Sequence, residues 1–161
     1  MKEPQETLQN ILAKLKAPMQ YQWKIQTKPT SDKKGLCVAY IDSRDVQDRL
    51  DEVCGVLWSE NTEFIAQWEN MVEYKSTISI NIQGQIHSRT DIGSFEIEKY
   101  NSGGNNNAMA HKGASSDAFK RAAVKWGVGR FLYDLGKQFV TLEEYKANQY
   151  NLSKFINSRT R

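Results

Sequence analysis

Lys120, Arg121 and Lys125 are the side chains of this sequence best suited to chemistry, and the chemistry they suit is the binding of an anion. They lie in the segment KGASSDAFKRAAVKWGVGRFLYDLG, residues 112–136. Arg121 and Lys125 stand four residues apart, so on a helix they share a face, and Asp117 on that face is not placed to neutralise both. Like charges at this spacing cost a helix roughly 0.2–0.5 kcal/mol, and a bound phosphate removes that repulsion. The surrounding charge agrees: residues 1–107 carry a net −3, residues 108–137 a net +4 and the remainder a net +2. A step of this kind suggests a local anion-binding surface on a protein that is not sticky all over.

Other chemistries find little support. His87 and His111, the only two histidines, are expected in a strand and a loop, with no Asp or Glu at metal-ligand spacing and no arrangement for a Ser-His-Asp triad. Asp42, Asp45, Asp48, Asp51 and Glu52 are accounted for by helix pairing and solubility rather than by nuclease metals. HKGASSD lacks the spacing of a phosphate-binding loop, and no G-x-G-x-x-G follows a strand. No enzymatic activity, metal or cofactor is therefore expected. Cys37 and Cys54 belong to no metal-ligand or redox spacing and are expected as buried free thiols.

The elements that must position these cations follow from periodicity. The chain has 161 residues, 39% hydrophobic and 25% charged, which suits one globular domain with a real core. No run nears the roughly 18 apolar residues of a membrane span, so a cytoplasmic protein without a membrane partner is expected. Thr7 opens a helix carrying Leu8, Ile11, Leu12 and Leu15 on one face, and Pro18 stops it. Strands over 21–27 and 35–41 flank a basic hairpin loop at 28–34. Asp42 or Ser43 caps a helix that buries Val46, Leu50, Val53 and Cys54, supported by Arg44–Asp48 and Asp45–Arg49 pairs and ended by Gly55.

Strict alternation over 72–82 puts Val72, Tyr74, Ser76, Ile78, Ile80 and Ile82 on one face, and Gln83-Gly84 turns the chain into a return strand over 85–92. There Ile86, Ser88, Thr90 and Ile92 are expected to repeat the buried pattern against His87, Arg89 and Asp91. A strand over 61–68 completes a three-stranded meander. Residues 100–108 read as a mobile loop, and a long helix is expected from Ser115, Ser116 or Asp117 to Gly136. Phe119, Ala122, Ala123, Trp126 and Tyr133 form one of its faces, while Val124, Val128, Phe131 and Leu132 form a second apolar surface, expected to meet another subunit. Gly113, Ala114, Ala118, Ala122, Ala123, Gly127 and Gly129 allow a close approach by a neighbouring backbone or helix. The fold class is α+β in the order β-β-α-β-β-β-α, a core of residues 1–137 followed by a helical extension over 138–161, with a helix at 142–148.

Three stretches, YIDSRDVQDRLDEVCG at 40–55, RTDIGSF at 89–95 and KGASSDAFKRAAVKWGVGRFLYDL at 112–135, resemble the Rad52/Rad22 family of single-strand annealing recombination proteins, in wording closest to versions carried by phages or prophages. The resemblance implies assembly into rings, single-stranded DNA held by its backbone in a basic groove, and annealing of complementary strands without ATP or metal. It further implies a host single-strand-binding protein or a phage exonuclease as protein partners. By that resemblance the groove's lysine-arginine pair is Lys120 and Arg121, and Arg44 is a second contributor. Lys125, Lys112, Arg130, Arg89 and Lys75 complete the expected DNA contacts, with Lys33, Lys34 and Lys99 weaker. The competing expectation is an oligomeric structural or protein-interaction module that does not anneal DNA.

Overall fold

The computed structural model describes residues 7–97 and 106–159. The order is α1 (Leu8–Lys16), β1 (Gln22–Thr27), β2 (Gly35–Tyr40), α2 (Ser43–Cys54), β3 (Trp58–Trp68), β4 (Met71–Ile82), β5 (Gln85–Glu96), α3 (Asn106–Trp126), β6 (Gln138–Val140), α4 (Leu142–Asn148) and α5 (Leu152–Arg159). The fold is α+β, with two antiparallel three-stranded sheets ordered β3-β4-β5 and β1-β2-β6. The chain divides into a larger unit, Met1–Ala17 with Asp42–Gly129, and a smaller one, Pro18–Ile41 with Arg130–Arg161. In the smaller unit the segment after residue 129 supplies β6 to the sheet begun by β1 and β2. No helix among the described residues is long and apolar enough to cross a membrane.

In the larger unit, Asp42 caps α2 through a capping box: its carboxylate accepts from the N–H of Arg44 and Asp45, and the Asp45 side chain accepts from the Asp42 N–H at 2.7 Å. Such a cap is worth about 1 kcal/mol. Val46, Leu50 and Cys54 are buried from this helix, as its spacing predicts. Arg49 donates to the carbonyls of Lys14 and Ala17 at 3.1 and 2.7 Å and so satisfies the open C-terminus of α1, with its Nε 3.4 Å from Glu52.

β4 alternates as expected, with Val72, Ser76, Ile78, Ile80 and Ile82 buried. β5 does the reverse of what its hydropathy suggests. The two-residue turn has positive φ at Gln83 and Gly84 and pairs Ile82 with Gln85, which sets His87 opposite Ile80, Arg89 opposite Ile78, Asp91 opposite Ser76 and Gly93 opposite Tyr74. Directly opposed residues share a sheet face. The polar row therefore lies on the face that packs α3, and Ile86 and Ile92, 68% and 48% exposed, lie on the other. Register, fixed by turn length, overrides composition here.

The long helix also differs from its expected bounds. α3 begins by Asn106, so His111 is helical rather than in a loop, and it ends at Trp126. Residues 98–105, which hold Lys99 and most of the expected mobile loop, lie outside the described residues. At the C-terminus Val128 N–H bonds to Ala123 O and Gly127 N–H to Val124 O, with Gly127 at φ +102°, a Schellman stop nine residues before Gly136. Tyr133, Phe131 and Leu132 are consequently not on α3 but in the 3-10 turn Arg130–Leu135.

The smaller unit buries Trp23, Cys37, Val140, Leu152 and Ile156 in its own core. The Trp23 indole N–H donates to Asn157 Oδ1 at 3.0 Å, and the Trp23 N–H to Ser153 Oγ at 2.7 Å, tying α5 to β1. α4 begins at a Thr141–Glu144 capping box and occupies the predicted residues.

Candidate nucleic-acid interface

The cations of α3 are positioned by an unusually close helix–sheet approach in the larger unit. A Cβ added at Gly93 of β5 would stand 2.1 Å from the Ala118 nitrogen and 2.6 Å from its Cα, so only glycine admits the helix backbone there. Ala110, Ala114, Ala118, Ala122 and Ala123 are all buried, as expected for the small face of the segment. Phe119 stacks near Trp58 of β3, and the Trp126 indole donates to Ile78 O at 3.1 Å in the interior. These contacts fix the rotation of α3, and with it the direction of its basic residues.

Consecutive helical residues diverge by about 100°. Arg121 and Lys125 point to the β5 flank, where a single carboxylate, Asp91, lies 3.8 Å from Arg121 Nε and 3.6 Å from Lys125 Nζ. The acid able to face both cations is thus supplied by a strand, contrary to the expectation of an unneutralised pair. Lys125 Nζ also donates to Thr90 O at 2.5 Å. Arg89 joins the same flank: its guanidinium lies 4.8 Å over the Trp126 ring and donates to Lys125 O at 2.9 Å, closing the carbonyl end of α3. Two cations thus face one anion, which leaves an excess of positive charge on a surface where Arg121 and Lys125 are about half exposed.

Lys120 faces the other flank. It lies one turn beyond Ser116, whose hydroxyl is hydrogen-bonded to that of Ser43 at the start of α2, the helix that carries the exposed Arg44 as its next residue. Lys112, exposed, precedes Ser116 by a turn. Two basic groups therefore border α3: Lys112, Lys120 and Arg44 on the α2 side, and Arg121, Lys125 and Arg89 on the β5 side. Val124, partly exposed, is placed between them by the same rotation.

Lys75 is separated from both groups. It lies on the opposite face of the sheet, in a 2.9 Å ion pair with Glu63 that holds the Glu63 carboxyl below its ordinary range, first through the hydrogen bond and then through the charge. Arg130 is exposed in the smaller unit. Of the residues expected to face another subunit, Val124, Phe131 and Leu132 are partly exposed, Val128 is buried within the chain, and Phe131 lies edge-on to Tyr21 in the smaller unit. The Schellman stop at Gly127 turns Val128, Phe131 and Leu132 away from the helix on which they were expected.

Asp91 and Gly93 are the functional positions that hydropathy alone passes over, though both stand inside RTDIGSF. Elsewhere, His111 Nδ1 lies 3.0 Å from the Tyr74 hydroxyl beside the Phe64 ring. No group of three or more potential metal ligands occurs among the described residues.

Comparison with known proteins agrees with this arrangement of motifs. The model of the Rad52/22 family of double-strand break repair proteins matches residues 4–151. The single-stranded DNA-binding protein DdrA of Deinococcus deserti is 35% identical over 146 residues, covering 86% of this chain and 64% of that protein. DdrA of Deinococcus radiodurans is 32% identical over 148 residues, covering 90% of this chain and 65% of that protein. The chain thus spans slightly under two thirds of the length of these relatives. With nearly its whole length matched, and with RTDIGSF and the α3 segment interlocked at Gly93, the chain belongs to the Rad52/22 family.

Proposed function

We propose that this chain binds single-stranded DNA through its sugar-phosphate backbone and anneals complementary strands during recombination and double-strand break repair, without ATP, metal or any catalytic step of its own. The observation that carries the reading is the meeting of Arg121 and Lys125 at the shared carboxylate of Asp91, with Arg89 on the carbonyl end of the same helix. Phosphates arriving at such a surface displace counterions and complete the charge balance that one acid leaves unfinished. Two family relatives described as single-stranded DNA-binding proteins support the choice of ligand.

In this reading Lys120, Arg121, Lys125 and Arg44 contact phosphate, with Lys112 extending the row. Arg89 positions the end of α3 more than it touches DNA, because its guanidinium is held by Trp126 and the Lys125 carbonyl. Contacts limited to phosphate and sugar leave base edges free to pair and make binding indifferent to sequence, which annealing of arbitrary strands requires. Assembly into a ring would string these short basic groups into a continuous path. The exposed Ile86 and Ile92 on the outer face of β5 offer apolar area for such contacts, in place of the buried Val128.

The test is annealing of two complementary oligonucleotides, one carrying a fluorophore and one a quencher, without nucleotide or magnesium. Acceleration by the chain, reduced at least several-fold by Lys120→Ala with Arg121→Ala while the thermal midpoint is retained, is the expected result. A chain that assembles but neither binds nor anneals DNA would instead be an interaction module.

A further inference from the structure

In the sheet order β3-β4-β5, β5 is an edge strand. The two-residue turn makes Ile82 and Gln85 a hydrogen-bonded pair, and every second residue of β5 repeats that pairing with β4. The N–H and C=O groups of the residues between, Ile86, Ser88, Thr90, Ile92 and Ser94, therefore point away from β4. Side chains take three of these outward groups in succession. Lys125 Nζ donates to Thr90 O at 2.5 Å, Ile92 N–H donates to Asp91 Oδ1 at 2.8 Å, and Ser94 N–H donates to Asp117 Oδ2 at 3.3 Å. We infer that these side chains guard the β5 edge, and that single-stranded DNA, by drawing Lys125 and Arg121 toward its phosphates, opens that edge to the β3 edge of a second copy of the chain.

The guard and the phosphate contact share one side chain. Lys125 Nζ sits between Thr90 O and the Asp91 carboxylate, which also faces Arg121. A strand laid along β5 must take the place of Lys125 at Thr90 O. In the free chain that leaves the ammonium with Asp91, a carboxylate already facing a second cation. A phosphate gives the displaced ammonium an anion of its own and so lowers the cost of its departure. The same two phosphate contacts withdraw the charges that hold Asp91 beside the Ile92 N–H. An outward carbonyl at a sheet edge is half of a ladder hydrogen bond, and a further strand completes it. DNA binding and strand addition then favour each other to the same degree, as linkage requires.

The strand that fits is β3, the opposite edge of the same sheet. Its 11 residues match the 12 of β5 in length. It carries Glu60 and Glu63 and no Lys or Arg, whereas the β5 edge is bordered by Arg89, Arg121 and Lys125. Phe64 and Ile65 of β3 are exposed, as are Ile86 and Ile92 of β5, so apolar area is offered from both sides. Pairing β5 with a second β5 would instead set the cations of two α3 helices against each other. β3 on β5 is a head-to-tail contact, which can repeat from copy to copy.

The inference rests on the single-stranded DNA reading above, and its test separates the two. Self-association is measured by sedimentation velocity over a concentration series, without DNA and with a molar excess of short fluorescent oligo(dT), whose binding is followed in parallel by anisotropy. The excess keeps one strand from gathering several copies. Bound oligo(dT) should raise the association constant of the wild-type chain about 5-fold or more, the lower end of ordinary coupling between sites. Ser88→Pro removes an outward N–H of β5 while leaving its ladder with β4 intact, and Glu60→Lys sets a like charge on the partner edge without touching β5 or α3. Both variants should bind oligo(dT) and show no such rise, and Glu60→Lys carries the test if circular dichroism shows that Ser88→Pro does not fold. A wild-type association constant unmoved by bound oligo(dT), or a rise in the folded variants equal to that of the wild type, would overturn the inference. Failure of the wild-type chain to bind oligo(dT) at all would overturn the underlying reading instead.

Discussion

Asp91→Asn should make the protein bind single-stranded DNA more tightly while making it less stable. The Asp91 carboxylate lies 3.8 Å from Arg121 and 3.6 Å from Lys125, side chains about half exposed, so each contact belongs to the weak surface class worth about 0.2–1 kcal/mol. A phosphate must draw both cations away from Asp91, and the two contacts together oppose binding by about 0.4–2 kcal/mol. Removing the charge releases that opposition, an affinity gain of about 2- to 30-fold at low salt. Asparagine is the right replacement because its carbonyl oxygen can keep the hydrogen bond that Asp91 Oδ1 accepts from the Ile92 N–H at 2.8 Å. The folded state loses the same contacts, so the midpoint of urea unfolding should drop by a matching amount. The two measurements, fluorescence anisotropy with oligo(dT) and urea titration by circular dichroism, must therefore move in opposite directions. If Asp91→Asn binds DNA with unchanged or lower affinity, Arg121 and Lys125 are not phosphate contacts and the placement of the interface is wrong.

Gly93→Ala should destabilise the chain by about 3 kcal/mol or more in urea titration, because the new methyl meets the α3 backbone at Ala118 rather than a side chain that can turn aside. Lys75→Ala should return the Glu63 carboxyl toward its ordinary range, seen as an upward shift of its titration midpoint by NMR; since the folded-state value is the lowered one, the pair's small stabilisation is present at neutral pH and lost as pH falls through the carboxylate range, and DNA affinity should change little. Burial raises the Cys37 thiol above its usual value, with Arg159 opposing, so Cys37 should react with a disulfide reagent at neutral pH far more slowly in the folded chain than in urea.

The sequence and the structure agree where local chemistry decides the outcome. The Asp42 cap, the buried stripe of α2, the alternation of β4 and the Thr141 start of α4 are all readable from spacing, because each is settled by neighbours within four residues. They part where distant residues decide. Nothing in the composition of β5 announces that its isoleucines face outward; that follows from a two-residue turn that fixes register against β4 and from Gly93, which draws α3 onto the polar side. The same contact brings Asp91 to Arg121 and Lys125 across 30 and 34 positions of sequence, so a pair that looks unneutralised along the helix has a partner in the fold. α3 stops at Gly127 rather than Gly136 because Gly127, Gly129 and Gly136 are equally good stops on paper, and the Schellman bonds select the first. β6, three residues long, is too short to leave a periodic signal and exists because β2 offers it an unpaired edge.

The central claim is that exposed cations on α3 hold single-stranded DNA by its phosphates, and its most direct measurement is the salt dependence of binding to oligonucleotides of unrelated sequence. Wild-type affinity should fall linearly with log salt, alike for every sequence, and Lys120→Ala/Arg121→Ala should lower the slope by about 1.4, two phosphate contacts' worth. A slope that is the same with and without Lys120 and Arg121 would contradict the account.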